Sequence, residues 1–130
     1  FVVPSAIQTV NGTLNVNDGH WKPYDGDDYN NVIIGTNGYI TPDSTITVSG
    51  NWSNSGTFTH NSGTVIFDGT GTANITGSST FNYLACTTSG KTLAFDATAG
   101  KVQTIGTFIV TGTSGSLINI VPLQRVRRER

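Results

Sequence analysis

Along most of the chain one pattern returns: three to five residues in which apolar side chains alternate with hydroxyl or amide side chains, then a corner containing Gly, Asn or Ser. The stretch "NWSNSGTFTHNSGTVIFDGTG" (51–71) shows it clearly. Trp52, Phe58, Val65 and Phe67 fall on one side of short pleated segments, and Thr57, Thr59, Thr64 and Ile66 on the other. β-Branched residues are stiff at χ1 and suit strands, whereas Gly inside a helix costs about 1 kcal/mol against Ala. The Asn-Ser-Gly triplets at 54–56 and 61–63 supply turn residues. The same grammar runs upstream through "IQTV", "TLNV", "NVIIG", "GYI" and "TITVSG". About ten short strands and no helix are predicted.

Internal similarity sets the architecture. "GTVIFDGTGTANITGSSTF" (63–81) lies over "KTLAFDATAGKVQTIGTF" (91–108), matching Phe67-Asp68 to Phe95-Asp96 and Phe81 to Phe108, with Ile75 near Ile105. The offset is 28 residues at Phe67 and 27 at Phe81. A period in the twenties, built of short strands with Gly corners, predicts the coils of a β-solenoid. The expected fold is therefore all-β, a parallel β-helix of about five coils filling one domain, 1–130. Its inward residues are expected to be Val65, Phe67, Ile75, Phe81, Leu84, Leu93, Phe95, Ile105, Phe108, Ile109, Leu117 and Ile118. The alternative is a β-sandwich, which favours Asn-Gly or Asp-Gly hairpins and longer clean alternation.

Composition narrows the setting. Only 12% of residues are charged and 35% are hydrophobic, so solubility rests on Thr, Ser, Asn and Gly. No apolar run of about 18 residues is present to span a membrane as a helix. The sequence starts at Phe1 without a basic leader; a cleaved export signal or a numbering start both fit a secreted product. Cys86 has no disulfide partner within the chain and reads as a small buried residue. Charge is divided unevenly. Residues 1–124 carry three Lys against seven Asp, a net of −4, while the last six carry four Arg against one Glu, a net of +3.

The segments "GNWSNSGTFTHNSGTVIFDGTG", "ITGSSTFNYL", "GKTLAFDA" and "IGTFIVTGTSGSLINI", spanning about residues 45–120, resemble the Thr/Gly/Asn-rich repeats of very large secreted bacterial surface proteins. Those repeats look like the right-handed parallel β-helices of filamentous-haemagglutinin-type and autotransporter adhesins. The resemblance implies a right-handed parallel β-helix at the bacterial cell surface or outside the cell. It implies a structural or adhesive role and supplies no catalytic residues. Two stretches depart from the repeat: "DGHWKPYDGDDYNN" (18–31), read as an acidic and aromatic loop protruding from the coil, and "VPLQRVRRER" (121–130), a basic tail.

Those departures hold the candidate chemistry. Asp25, Asp27 and Asp28 lie within four residues and would suit Ca²⁺. The EF-hand pattern is nevertheless absent, because Asn30 and Thr36 stand where Gly and Glu belong. Trp21, Tyr24 and Tyr29 beside these acids suit either a glycan platform or a subunit contact. Arg125, Arg127, Arg128 and Arg130 suit carboxylates of a neighbouring copy better than nucleic acid, since no aromatic ring is interleaved among them. Asp68 and Asp96 are expected at equivalent corners, either capping turns or, stacked, resembling a glycosidase pair. His20 and His60 fall in different coils, outside any metal spacing. Asn11, Asn51 and Asn74 begin glycosylation-type triplets that an Asn/Thr-rich chain also produces by chance. The functional expectation is a structural subunit of an extracellular bacterial filament or surface assembly, without enzymatic activity or cofactor. Copies join head to tail, the arginines meeting Asp25, Asp27 and Asp28. The alternative is a glycan-binding adhesin module; a carbohydrate-active enzyme relying on Asp68 or Asp96 forms a third class.

Overall fold

A computed structural model describes residues 12–123. Twelve strands and no helix occupy them: β1 (Thr13–Trp21), β2 (Asp27–Tyr29), β3 (Asn31–Ile40), β4 (Thr45–Val48), β5 (Trp52–Asn54), β6 (Thr57–Phe58), β7 (Thr64–Phe67), β8 (Thr72–Gly77), β9 (Ser79–Cys86), β10 (Thr92–Asp96), β11 (Gln103–Val110) and β12 (Asn119–Leu123). One sheet runs β1-β3-β5-β8-β10-β12, with β6 extending the row beside the far end of β3. The other runs β11-β9-β7-β4-β2. Every pairing between these strands is parallel, so the chain advances one coil at a time instead of turning back in hairpins. The molecule is a parallel β-solenoid of about five coils, and the sandwich alternative is excluded. "NVIIG" and "GYI", read from sequence as two strands, are one ten-residue strand, β3. "IQTV" lies outside the described residues.

Pairing in register places like residues in columns. Leu14, Val32, Trp52, Ile75, Phe95 and Pro122 make one inward column. Ile46, Val65, Leu84 and Phe108 make another, on the second sheet. Trp52 sits at the centre of the core, its ring 4.8 Å from Phe58, 5.3 Å from Phe81 and 6.4 Å from Phe67. Its indole Nε1 donates to Ser79 Oγ at 3.0 Å, which satisfies the one polar atom the ring brings inside.

The registers correct the repeat alignment. Phe67 belongs to the second sheet and Phe95 to the first; Phe95 stands beside Ile75, and Phe81 beside Ile105. Partners lie from 18 residues apart (Leu14 and Val32) to 27 apart (Leu93 and Ile120). A fixed offset of 27 to 28 therefore jumps from one sheet to the other in the middle of the chain. Strand length and corner length vary independently so long as each coil closes, and for that reason the similarity between Phe67-Asp68 and Phe95-Asp96 is local.

The expected core holds for Val65, Phe67, Ile75, Phe81, Leu84 and Leu93, which are buried, and in part for Phe95, Ile105 and Ile118, which pack at its edge. It fails for Phe108, Ile109 and Leu117, all exposed. Ile109 pairs with Ala85 on the outward face, and Leu117 lies in the bend before β12. Phe108 has a different reason, given below.

Candidate functional site

The stretch 18–31 is not a protruding loop. Asp18 to Trp21 complete β1, residues 22–26 turn the corner, and Asp27 to Tyr29 form β2, paired with Ile46 to Val48. Trp21 is 4% exposed and Tyr29 1%, so neither ring offers a face to a sugar. Of the three aromatics only Tyr24 is exposed. Inside the coil, Trp21 Nε1 donates to Tyr29 Oη at 3.4 Å and Tyr29 Oη donates to Asp27 Oδ2 at 2.9 Å. The Tyr24 amide donates to the same carboxylate oxygen at 3.0 Å. Burial, reinforced by the Asp27 charge, pushes the Tyr29 phenol well above its usual range. Asp27 is thus a buried structural acceptor. Asp25 caps the next coil, its Oδ1 accepting the Thr45 amide at 3.0 Å. Asp28 is half-buried on the outward side of β2. The three carboxylates diverge, and no group of three or more His, Cys, Asp or Glu able to hold a metal occurs among the described residues.

A second cluster forms where the coils leave the second sheet. Asp28, Tyr29, Asn30, Ser49, Asp68 and Gly69 line a cleft of about 270 Å³. Behind it Lys91, 0% exposed, extends across the coils so that Nζ donates to the Ser49 carbonyl at 3.2 Å. Burial, with the nearby charge of Asp28 adding to it, raises the Asp68 carboxyl, and burial lowers the Lys91 ammonium. Asp68 Oδ1 is buried without a hydrogen-bond partner among the described residues. The thiol of Cys86, buried as expected, is pushed up by the same desolvation. Asp96 is elsewhere: its carboxylate accepts the Gly77 amide at 2.9 Å and the Thr98 amide at 3.0 Å, and bonds from Thr98 and Gly77 hold it below the usual carboxylate range. The two Asp do not share a corner, so no stacked pair forms. The turn-capping role belongs to Asp96 alone.

Lys91 yields a test of what its burial does. Replacing a buried charge by an apolar side chain of similar length is often neutral or stabilising, because desolvation outweighs the interactions recovered. Lys91→Met is therefore expected to melt at or above the parent at pH 7. A lowered pKa means that the unfolded chain binds more protons in the window below 10.5, so parent stability rises with pH there, an effect the variant lacks. Urea titrations at pH 7 and pH 10 measure both; a loss of more than about 2 kcal/mol at pH 7 would show that the bond to Ser49 dominates.

Another cleft, of about 340 Å³, is lined by Asn54, Gly56, Thr57, Phe58, Ser78, Ser79, Thr80, Val102 and Thr104. Its Asn54 amide is already committed, donating to the Ser78 carbonyl and to Ser79 Oγ at 3.0 Å each. His20 stacks on Tyr39 with centroids 4.2 Å apart, and His60 Nδ1 accepts the Ser62 amide at 2.9 Å; both serve local structure. Along the outer corner an asparagine ladder climbs the coils. The Asn51 backbone N–H donates to Asn31 Oδ1 at 2.8 Å and the Asn74 backbone N–H to Asn51 Oδ1 at 2.9 Å. The side chains of Asn31 and Asn51 thus act as inter-coil caps, which sequence reading missed, while Asn74 contributes only its backbone N–H. Its sequence signal was an Asn repeated one coil apart, Asn31 opening β3 and Asn51 immediately before β5. Asn11 lies outside the described residues.

Most of the exposed large hydrophobic side chains among the described residues lie on the last coil. β11 and β12 are the outer strands of their sheets. Phe108 continues the column of the fully buried Leu84, yet it is 39% exposed; Ile120 continues the column of Leu93 and is 50% exposed. Both occupy inward columns, and among the described residues no further coil covers them. Val102, Leu117 and Val121 add exposed apolar surface at the same end. The opposite end differs: the first coil carries Asp18, Asp25 and Asp28 on accessible positions around the buried Trp21–Tyr29–Asp27 network. Arg125, Arg127, Arg128 and Arg130 lie outside the described residues and follow β12 in the sequence. No helix among the described residues is long and apolar enough to cross a membrane.

In comparison with known proteins, no family model, curated protein or solved structure matches the chain.

Proposed function

We propose that the protein is a structural element of an extracellular bacterial filament or surface assembly, built by solenoids associating end to end. The observation that supports this reading is the open last coil, where the inward columns through Phe108 and Ile120 run out into solvent. Apolar columns and free strand edges at a solenoid end associate unless covered. The resemblance of residues 45–120 to the repeats of secreted surface proteins supports the location. Cleft side chains such as Asn54 and Ser79, and Ser49 and Asn30, bond from one coil to the next, which accords with a scaffold. The glycan-binding alternative loses the aromatic platform on which it depended, since Trp21 and Tyr29 are internal.

Purified protein examined by light scattering and negative-stain microscopy is expected to show thin fibres or particles larger than one chain. Removing residues 125–130 is expected to weaken or disorder them, and added salt to slow their growth by screening. A strictly monomeric solution at high concentration would remove the assembly reading.

A further inference from the structure

We infer that the cleft between β6 and β9 is a binding site for a small neutral polyhydroxylated ligand, of the class of a sugar ring, separate from the aromatic stretch 18–31 and independent of assembly. The cleft exists because two coils part there. Asn54 and Gly77 are paired, but the chain after Asn54 follows β3 as β6, whereas the chain after Gly77 enters the second sheet as β9. β6 pairs with β3 alone, and β9 meets β7 only through Tyr83, Leu84 and Ala85, so the start of β9 and the outer edge of β6 face one another without a ladder. The rings of Phe58 and Phe81, 5.8 Å apart and both buried, close the gap on the core side. About 340 Å³ is left, at the lower end of the range for small-ligand sites and room for one or two sugar rings.

The polar groups around this space select the ligand class. Ser79, 6% exposed, accepts Trp52 Nε1 and Asn54 Nδ2, both at 3.0 Å, which fills both lone pairs of Oγ and leaves its O–H as a donor with no acceptor among the described residues. Its direction is fixed. Asn54 is held on every side, because its Nδ2 also donates to the Ser78 carbonyl and its Oδ1 accepts the Gly56 backbone N–H at 3.0 Å. Ser78 Oγ accepts the Val102 backbone N–H, so its proton too is available to a ligand. Around these two donors Thr57, Thr80 and Thr104 are exposed, and their hydroxyls bond to no protein group among the described residues. Hydroxyls both give and accept, whereas no charged side chain lines the cleft among the described residues, so nothing there would offset the charge of a bound ion. Phe58 supplies an apolar patch for the C–H face of a ring.

Ser79→Ala would also strip Trp52 of its acceptor, so the test uses the exposed hydroxyls. Thr80 and Thr104 are paired on β9 and β11, where Thr80→Val and Thr104→Val keep the β-branched shape and are expected to leave the urea midpoint unchanged. Saturation-transfer NMR titrations with the methyl glycosides of glucose, galactose, mannose and N-acetylglucosamine are expected to show saturable millimolar binding of at least one. Affinity is expected to fall about fivefold in either variant and about twenty-five-fold in the double variant. It is expected to stay at the parent value in Thr47→Val, on the outward side of β4, and to be insensitive to the salt that slows assembly. No saturable binding of any of the four glycosides, undiminished binding in the double variant, or a preference for glucuronate over the neutral glycosides would each overturn the site, whether or not copies assemble.

Discussion

Trp52→Ala is expected to lose about 3 to 5 kcal/mol of stability, the largest effect of any single core truncation in this chain. The indole is fully buried and touches three other aromatic rings contributed by different strands, β6, β7 and β9. Removing it leaves a cavity that neighbouring coils cannot close, because their spacing is fixed by the hydrogen-bonded ladders. It also takes the donor from Ser79 Oγ, which then keeps only its bond from Asn54. Domains of this size are stable by about 5 to 15 kcal/mol, so about a fifth or more of the total is at stake. Urea unfolding is expected to shift to a lower midpoint at unchanged slope. Phe67→Ala belongs to the same class, whereas Phe108→Ala in the monomer is expected to cost far less. A parent-like midpoint for Trp52→Ala would mean that the aromatic centre does not hold the coils together.

Gly77→Ala is expected to be nearly as damaging, for a reason of backbone and not of burial. Gly77 ends β8 with φ of +84°, and a Cβ built there would stand 1.9 Å from the Asn54 carbonyl oxygen on the adjoining coil. The left-handed conformation costs a non-glycine residue about 1 to 3 kcal/mol. Relieving the collision would require moving a neighbouring strand, a further cost of about 1 to 3 kcal/mol. The Gly77 amide also holds Asp96, so the shift would spread to the corner after β10. Gly100→Ala isolates the two contributions, since Gly100 has φ of +86° and nothing within 4 Å of its would-be Cβ. Denaturant midpoints are expected to fall clearly further for Gly77→Ala than for Gly100→Ala. Equal losses would show that the coils separate easily at Asn54.

The local statements were legible because they depend on near neighbours. Alternation of Trp52, Phe58, Val65 and Phe67 with Thr57, Thr59, Thr64 and Ile66 identified strands, and all four of the apolar residues are buried. Gly corners and the absence of any helical period identified stacked coils, and the division of charge between Asp-bearing and Arg-bearing segments was visible by counting. Tertiary structure decided what depends on which residues meet one coil apart. Phe67-Asp68 and Phe95-Asp96 look equivalent in sequence, but coils of 18 to 27 residues put them on different sheets. Asp27, Trp21 and Tyr29 read as a solvent-facing cluster because charge and aromaticity are usual at surfaces. Only the closure of the first coil turned the two rings and one carboxylate inward, where their polar atoms satisfy one another. Lys91 gave no sign of burial, since its partner Ser49 is 42 residues away. Phe108 has the residue type and the column of a core position, and its exposure follows from its place on the last coil of the described residues. Hydrophobic pattern determines which face a residue joins; whether that face is covered is set by the coil above it, which no local window contains.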